Sequence, residues 1–125
     1  MKKYILLVAA SFMLFSFKFQ GEDNIIKALK GASAEQVSNY FDSFIELKLP
    51  EKEEVKNMGK NQAGIAFGSF FKDNGVRGFE LTSQREMGES VQITGKLQNA
   101  GKGYGITLRL KKQGDRLLIT NVRIN

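Results

Sequence analysis

Four consecutive segments between residues 76 and 125 alternate apolar and polar side chains, and turn residues separate them. A period of two residues is typical of strands that bury one face, so this region predicts consecutive antiparallel hairpins. Turns are expected at Gly88, at Asn99-Ala100-Gly101 and at Gln113-Gly114-Asp115. This run of strands constrains the fold, but no cluster of residues in the chain specifies a chemical reaction.

The alternation also divides the side chains of these strands between two faces. Arg85 has the same parity as Phe79 and is expected at the rim of the inner face. Gly95, in mid-strand, predicts a bulge or a bend in the sheet. The side chains expected on the inner face are Phe79, Leu81, Val91, Ile93, Gly95, Leu97, Tyr104, Ile106, Leu108, Leu110, Leu118, Val122 and Ile124.

The segments before these strands are mostly helical in pattern. Acidic residues at the start and lysines at the end predict a helix over residues 22–30, which Gly31 stops. Ser33 is expected to cap a second helix. The core face of that second helix is predicted from helical spacing to be Val37, Tyr40, Phe41 and Phe44.

A short strand and a third helix are expected next. Residues 45–49 alternate apolar and charged side chains and predict a strand that Pro50 ends. Residues 51–58 are expected to form a charged connector, with a brief extended piece at Val55 left open as an option. The third helix is predicted over residues 62–72 after the cap Asn61, with a buried side made of Ile65, Ala66, Phe70 and either Phe67 or Phe71.

The predicted order α-α-β-α-β-β-β-β is an α+β fold, with three helices packed on one face of a bent antiparallel sheet. A bent sheet folded over a long helix would enclose a cone-like space with one open end. Gly64 and Gly68 lie one turn apart on the third helix. They indicate either a close approach of a neighbouring element or simply a weak helix, and the sequence leaves both open.

The N-terminal residues are typical of an export signal. Lys2 and Lys3 precede a run of 14 uncharged, mostly apolar residues over 4–17, which is shorter than the roughly 20 residues of a membrane span. We predict a signal peptide over residues 1–21 and a single domain over 22–125, exported to the periplasm or secreted, with no membrane segment in the mature form. The alternative is an uncleaved N-terminal anchor.

Composition excludes several classes of site. The predicted mature domain has 16 basic and 13 acidic residues, a net charge of +3 that gives little reason to expect nucleic acid as a partner. The chain has no cysteine and no histidine. Disulfides, the usual zinc, copper, haem and iron–sulfur ligand sets, and Ser-His or Cys-His nucleophile pairs are therefore excluded. No cofactor is predicted, and a general base would have to be Asp, Glu, Lys or Tyr.

Three segments carry a resemblance to a known family: Ala63 with Phe70-Phe71, Ile93-Thr94-Gly95-Lys96-Leu97, and Leu118-Ile119 with Arg123-Ile124. With the order of elements, they resemble an uncharacterised family of small exported bacterial proteins with a nuclear-transport-factor-2-like, or cystatin-like, fold. The resemblance covers residues 22–125. It implies a fold and no activity, because the matching residues are structural. The chain departs from it at Asn57-Met58-Gly59, where an aromatic residue is expected, and at the two glycines of the third helix.

Three functions are compatible with this sequence. The first is a non-enzymatic exported module that binds a small apolar ligand or a protein partner. The second, implied by other members of the fold, is a cone-type isomerase or hydro-lyase that uses Asp42 or a tyrosine. The third is a structural protein of the cell envelope that forms a homodimer through the outer sheet face. The candidate pocket residues are Tyr40, Phe44, Phe70, Phe79, Arg85 and Tyr104.

Overall fold

The structure, a computed structural model, describes residues 20–125, so most of the predicted signal peptide lies outside the described residues. Within this range three helices and six strands form an α+β fold, as predicted, but with one strand more than expected. The elements are α1 (Gln20–Lys30), α2 (Ala34–Ser38), β1 (Phe41–Lys48), β2 (Val55–Gly59), α3 (Lys60–Asp73), β3 (Gly78–Met87), β4 (Ser90–Gln98), β5 (Tyr104–Gln113) and β6 (Arg116–Ile124).

The six strands of the described chain form one sheet in the order β2-β1-β6-β5-β4-β3. Strands β3 to β6 are consecutive antiparallel hairpins, which confirms the prediction from the alternation. The expectation of a wholly antiparallel sheet is wrong, because β1 pairs with β6 in parallel and places Leu47 beside Val122. The additional strand, β2, forms because it completes the free edge of β1, where Ile45 pairs with Met58.

Glycines with positive φ close two of the hairpins. Gly88 and Gly114 have φ of 64° and 59°, and each is the first residue of a two-residue turn. A positive φ at that position is the requirement of a type II′ turn, whose twist matches that of the flanking strands. The predicted turns at these glycines are therefore confirmed.

A register shift in β3 changes which side chains face inward. The pairing between β3 and β4 shifts by one residue between Leu81 and Ser83, which is the bend predicted beside Gly95. After the shift Arg85 pairs with Gln92 on the outer face of the sheet. The prediction that Arg85 lies at the inner rim is wrong, because the extra residue reverses the alternation.

A second irregularity has the same effect in β6. On β5, Arg109 pairs with Asn121 and the next residue, Leu110, pairs with Ile119. Thr120 is therefore an extra residue in β6. Ile119 and Val122 are 0% and 1% exposed and belong to the core. Leu118, predicted on the inner face, pairs with Lys111 and lies on the opposite face.

The core lies between the inner face of the sheet and the helices, with α1 on β3 and β6 and with α3 on β1. Phe67 of α3 is fully buried. Its ring centroid lies 5.6 Å from that of Phe41 and 4.6 Å from that of Phe71. This aromatic cluster joins α3 to the sheet.

The inward face of α3 differs from the predicted one. The helix begins at Lys60, directly after Gly59, rather than at Gln62. Ile65, expected in the core, is 71% exposed, and that part of the prediction is wrong. The predicted and the observed sets of buried residues both have helical spacing. The packing of α3 on β1 therefore decides which set is buried. The buried residues are Ala63, Phe67, Phe70 and Phe71.

Helix α2 is shorter than predicted and ends at Ser38. Phe41 and Phe44 belong to β1, where Phe41 is buried and Phe44 is 58% exposed, so neither lies on a helix face. A Cβ on Gly64 would lie 3.4 Å from Ser38 Oγ, whereas a Cβ on Gly68 would have open space around it. A neighbouring helix therefore lies within contact distance of the first glycine of the pair and not of the second.

Helix α1 ends in a left-handed residue that is not glycine. Ala32 has φ of 53°. Its N–H donates to the Leu29 carbonyl, and the Ser33 N–H donates to the Ala28 carbonyl, which is the Schellman pattern of helix termination. The predicted stop, Gly31, occupies the preceding position, where glycine is not required.

We expect Ala32→Gly to raise the free energy of unfolding by about 1 kcal/mol, because a left-handed backbone costs an L-residue about 1–2 kcal/mol and glycine almost nothing. Urea denaturation followed by circular dichroism measures the change. The same substitution at Ala28, inside α1, is the control and should lower stability by about 1 kcal/mol or more. A loss of stability in both variants would show that Ala32 is not strained.

Candidate ligand-binding cavity

A cavity of 490 Å³ lies where the C-terminal half of α3 faces the end of β1 and the start of β5. Its volume falls in the range of small-molecule pockets, about 300–1,000 Å³. The apolar part of its lining consists of Leu49, Pro50, Ala66, Phe70 and the ring of Tyr104. The cavity therefore combines an apolar wall with a polar remainder of its lining.

The aromatic floor of the cavity is held in place by Asn74. The rings of Phe70 and Tyr104 meet edge to face, with centroids 5.0 Å apart and planes at 73°, an arrangement that aromatic pairs favour. The Tyr104 hydroxyl donates to Asn74 Oδ1 at 2.9 Å, and Asn74 Nδ2 donates to the Phe70 carbonyl at 2.9 Å. Asn99 Nδ2 donates to the Asn74 carbonyl at 2.9 Å. These bonds fix the floor between the end of α3 and the β4–β5 turn.

A tight turn after β1 forms one side of the cavity mouth. The Lys52 N–H donates to the Leu49 carbonyl at 3.2 Å. Glu51 has φ of 62°, and with Pro50 before it this is the pattern of a type II turn, which prefers glycine at the position of Glu51. The turn places the side chains of Glu51 and Lys52 on the cavity lining.

The mouth carries polar groups that can receive a ligand. Two carboxylates, Glu51 and Asp73, lie there with the Lys52 ammonium and the Ser69 hydroxyl. Within residues 20–125 the ion pairs lie elsewhere, at Lys112–Glu86 and Arg123–Glu54. The charged groups at the mouth are therefore available to a bound molecule, and their sum is one negative charge.

Two of the six predicted pocket residues, Phe70 and Tyr104, line this cavity. The structure does not bring the other four to it. Tyr40 packs against the core near Gly21, Phe79 is buried inside the core, Phe44 is exposed on β1, and Arg85 is exposed on the outer face.

The polar residues of the cavity were not predicted as site residues. The sequence marks Pro50 only as the end of a strand and Asp73-Asn74-Gly75 only as a turn. Ser69 carries no signal at all. Long-range packing brings them together, since α3 packs on β1 and the turn after β1 lies beside the end of α3.

A further buried polar residue is Glu22 on α1, which is 4% exposed and which the sequence marks only as part of the acidic start of a helix. The side-chain amide of Gln84 donates to Glu22 Oε1 and joins α1 to β3. In the described part of the chain, no group of three His, Cys, Asp or Glu side chains is arranged to hold a metal ion. None of the helices between residues 20 and 125 is long and apolar enough to cross a membrane.

The outer sheet face carries an excess of positive charge. Two cross-strand rows contain four cations, Lys48, Arg85, Arg109 and Arg123, and one carboxylate, Glu46. Of these cations, Arg123 forms an ion pair with Glu54. The other members of these rows are neutral: Ser83, Thr94, Thr107, Gln92 and Asn121. Two copies of this face packed against each other would oppose like charges.

Comparison with known proteins identifies the relatives of this fold. The family described as "Domain of unknown function (DUF4783)" matches residues 22–125. The crystal structure of a DUF4783 family protein from Bacteroides ovatus is 28% identical in sequence, with a TM-score of 0.72 over 81% of this chain and 90% of that one. No curated protein matches the chain.

Two further solved structures share the fold at lower identity. An uncharacterized cystatin fold protein from Novosphingobium aromaticivorans is 11% identical, with a TM-score of 0.62 over 86% of this chain and 96% of that one. An NTF2-like protein of unknown function from Cytophaga hutchinsonii is 12% identical, with a TM-score of 0.58 over 86% and 90%. These matches confirm the nuclear-transport-factor-2-like, cystatin-like fold that the sequence resembles.

Proposed function

The chain belongs to the DUF4783 family, a domain of unknown function, and we propose that it is a non-enzymatic module that binds a small, largely apolar molecule in the cavity between α3, β1 and β5. The observation that carries the proposal is the combination of a fixed aromatic floor with unpaired polar groups at the mouth of a 490 Å³ cavity. Export to the periplasm or the medium, and a cone-like enclosure of the cavity by the bent sheet, belong to the same proposal.

The lining favours a particular ligand chemistry. Phe70 and Tyr104 offer ring surface to an apolar or aromatic body. Glu51 and Asp73 accept hydrogen bonds, and against the single ammonium of Lys52 they favour a neutral or cationic ligand. A molecule with an apolar body and a donor group at one end fits these requirements.

Neither Tyr104 nor Asp42, two acid–base candidates of the enzyme hypothesis, is placed to act as a base in the cavity. The Tyr104 hydroxyl is engaged with the amide oxygen of Asn74, which is not a base. Asp42, the acid of the enzyme hypothesis, accepts a hydrogen bond from the Ser43 N–H at 2.7 Å and does not line the cavity. The positive outer face likewise disfavours the homodimer of the structural hypothesis.

A fluorescence titration with N-phenyl-1-naphthylamine, a neutral apolar dye, tests the proposal. We expect saturable one-to-one binding by the wild type. Ala66→Phe puts a ring into the cavity and should weaken dye binding at least about tenfold, equivalent to about 1.4 kcal/mol.

Ile65→Phe is the matched control, because Ile65 is the preceding residue of α3 and is 71% exposed. It should leave dye affinity within about twofold, a change of about 0.4 kcal/mol. Circular dichroism verifies that both variants are folded. Equal affinity in the two variants, or no saturable binding by the wild type, would contradict the proposal.

A further inference from the structure

A second concave surface, of 380 Å³, lies at the other side of the sheet, where β3 begins and β4 turns into β5. Arg77, Lys96 and Lys102 line it, and we call it the basic groove. Glu80 is the carboxylate on its lining. The groove therefore holds two of the three net positive charges that residues 20–125 carry, from 16 basic and 13 acidic residues.

The single carboxylate on the lining leaves two of the three cations of the basic groove without a counter-charge. Glu80 faces Lys96 across the β3–β4 pair, but the two side chains do not form an ion pair. The ion pairs within residues 20–125 are Lys112–Glu86 and Arg123–Glu54, and neither lies in the groove. Like charges kept close together on a concave surface create a positive potential that attracts anions.

Hydrogen bonds from two backbone amides to Asn99 hold the turn beneath the basic groove. Asn99 Oδ1 accepts hydrogen bonds from the N–H groups of Gly101 at 2.9 Å and Gly103 at 3.1 Å. Gly103 has φ of 77°, and a Cβ there would lie 2.5 Å from the Leu97 carbonyl oxygen, so the turn requires glycine at this position. Because these two amides are already bonded, the groove offers side-chain cations rather than a backbone phosphate cradle.

We propose that the basic groove binds a phosphoryl group. Three cationic side chains, one of them a guanidinium, approach the groove from separate elements of the fold. A tetrahedral dianion presents oxygens in several directions and can accept from all three, whereas a single carboxylate satisfies one or two donors. The phosphoryl group belongs either to a soluble phosphate ester or to a lipid headgroup.

The first test is an NMR titration of the ¹⁵N-labelled protein with inorganic phosphate at constant ionic strength. We expect saturable shifts of the amides of Arg77, Lys96 and Lys102. The double variant Lys96→Gln/Lys102→Gln should weaken phosphate binding about tenfold, because the loss of each exposed charge contact weakens binding about threefold.

The control double variant is Lys56→Gln/Arg116→Gln, which removes the same charge from exposed positions outside the groove. It should keep the affinity within about twofold, a change of about 0.4 kcal/mol. Equal weakening in both double variants, or shifts that never saturate, would overturn the proposal. Neither double variant should change dye binding in the cavity. The outcome of this test is therefore independent of the outcome of the test of the proposed function.

A vesicle assay assigns the source of the phosphoryl group. Co-sedimentation with phosphatidic acid vesicles, whose headgroup is a phosphomonoester, that the Lys96→Gln/Lys102→Gln variant loses and the control variant keeps supports a lipid headgroup. Phosphate binding in the NMR titration, with equal sedimentation of both variants, supports a soluble phosphate ester. Absence of both effects overturns the assignment of the groove as an anion site.

Discussion

Replacing Phe67 with alanine is expected to lower the free energy of unfolding by about 3–5 kcal/mol. Phe67 is fully buried, and its ring packs between Phe41 and Phe71 at centroid distances of 5.6 and 4.6 Å. The substitution removes the apolar transfer free energy and leaves a cavity between two rings that α3 and β1 hold apart. Domains of this size have total stabilities of about 5–15 kcal/mol, so the loss is a large share.

Urea denaturation followed by far-ultraviolet circular dichroism measures this loss. Ile65→Ala is the control on the same helix, since Ile65 is 71% exposed and alanine has the higher helix propensity. Its effect should be within about 0.5 kcal/mol. If the two variants lost similar stability, the assignment of the inward face of α3 would be wrong.

Gly95→Ala is the second substitution with a large expected effect. A Cβ on Gly95 would overlap with the Glu80 carbonyl oxygen and with the ring of Phe79, which lies across the glycine. A backbone oxygen cannot rotate away, so β3 must move or the ring must leave the core. We expect a loss of about 2–3 kcal/mol, as for overpacked cores.

Gly68→Ala provides the matched control, because the same Cβ at that position meets open space. Alanine within a helix should raise stability by about 1 kcal/mol relative to glycine. Opposite signs at positions 95 and 68, measured by urea denaturation, are the expected result. A stable Gly95→Ala variant would contradict the close packing of Phe79 on β4.

The sheet was the part of the fold best predicted by sequence, because alternation and turn chemistry are local. Gly88 and Gly114 close hairpins where their sequence context predicts turns. Two bulges limited the prediction, because one extra residue in a strand moves every later side chain to the opposite face of the sheet. Arg85 and Leu118 were placed on the wrong face for this reason.

Tertiary contacts determine which face of α3 is buried and whether the edge strand β2 forms. Residues 63–71 of α3 contain apolar side chains on more than one face, so spacing alone does not choose between Phe67 and Ile65. Strand β2 has an exposed sequence without apolar alternation, and its pairing with β1 produces it. In both cases the partner element decides, and the partner is distant in sequence.

Only the aromatic floor of the candidate cavity was predicted from the sequence. Phe70 and Tyr104 follow from inward parity on α3 and β5. The mouth depends on the left-handed Glu51, on the Asn74–Asn99 bond and on the approach of the turn after β1 to α3. None of these leaves a pattern in the sequence, because each joins segments that have no common period.

The most direct test of the cavity as a ligand site is a ¹H–¹⁵N NMR titration of the protein with N-phenyl-1-naphthylamine. Binding in the cavity predicts that the largest shifts fall on the amides of Ala66, Phe70, Asn74 and Tyr104, with Ile65 and the outer sheet face nearly unchanged. Saturable shifts centred on the outer sheet face, or no shifts at all, would contradict a ligand site between α3, β1 and β5.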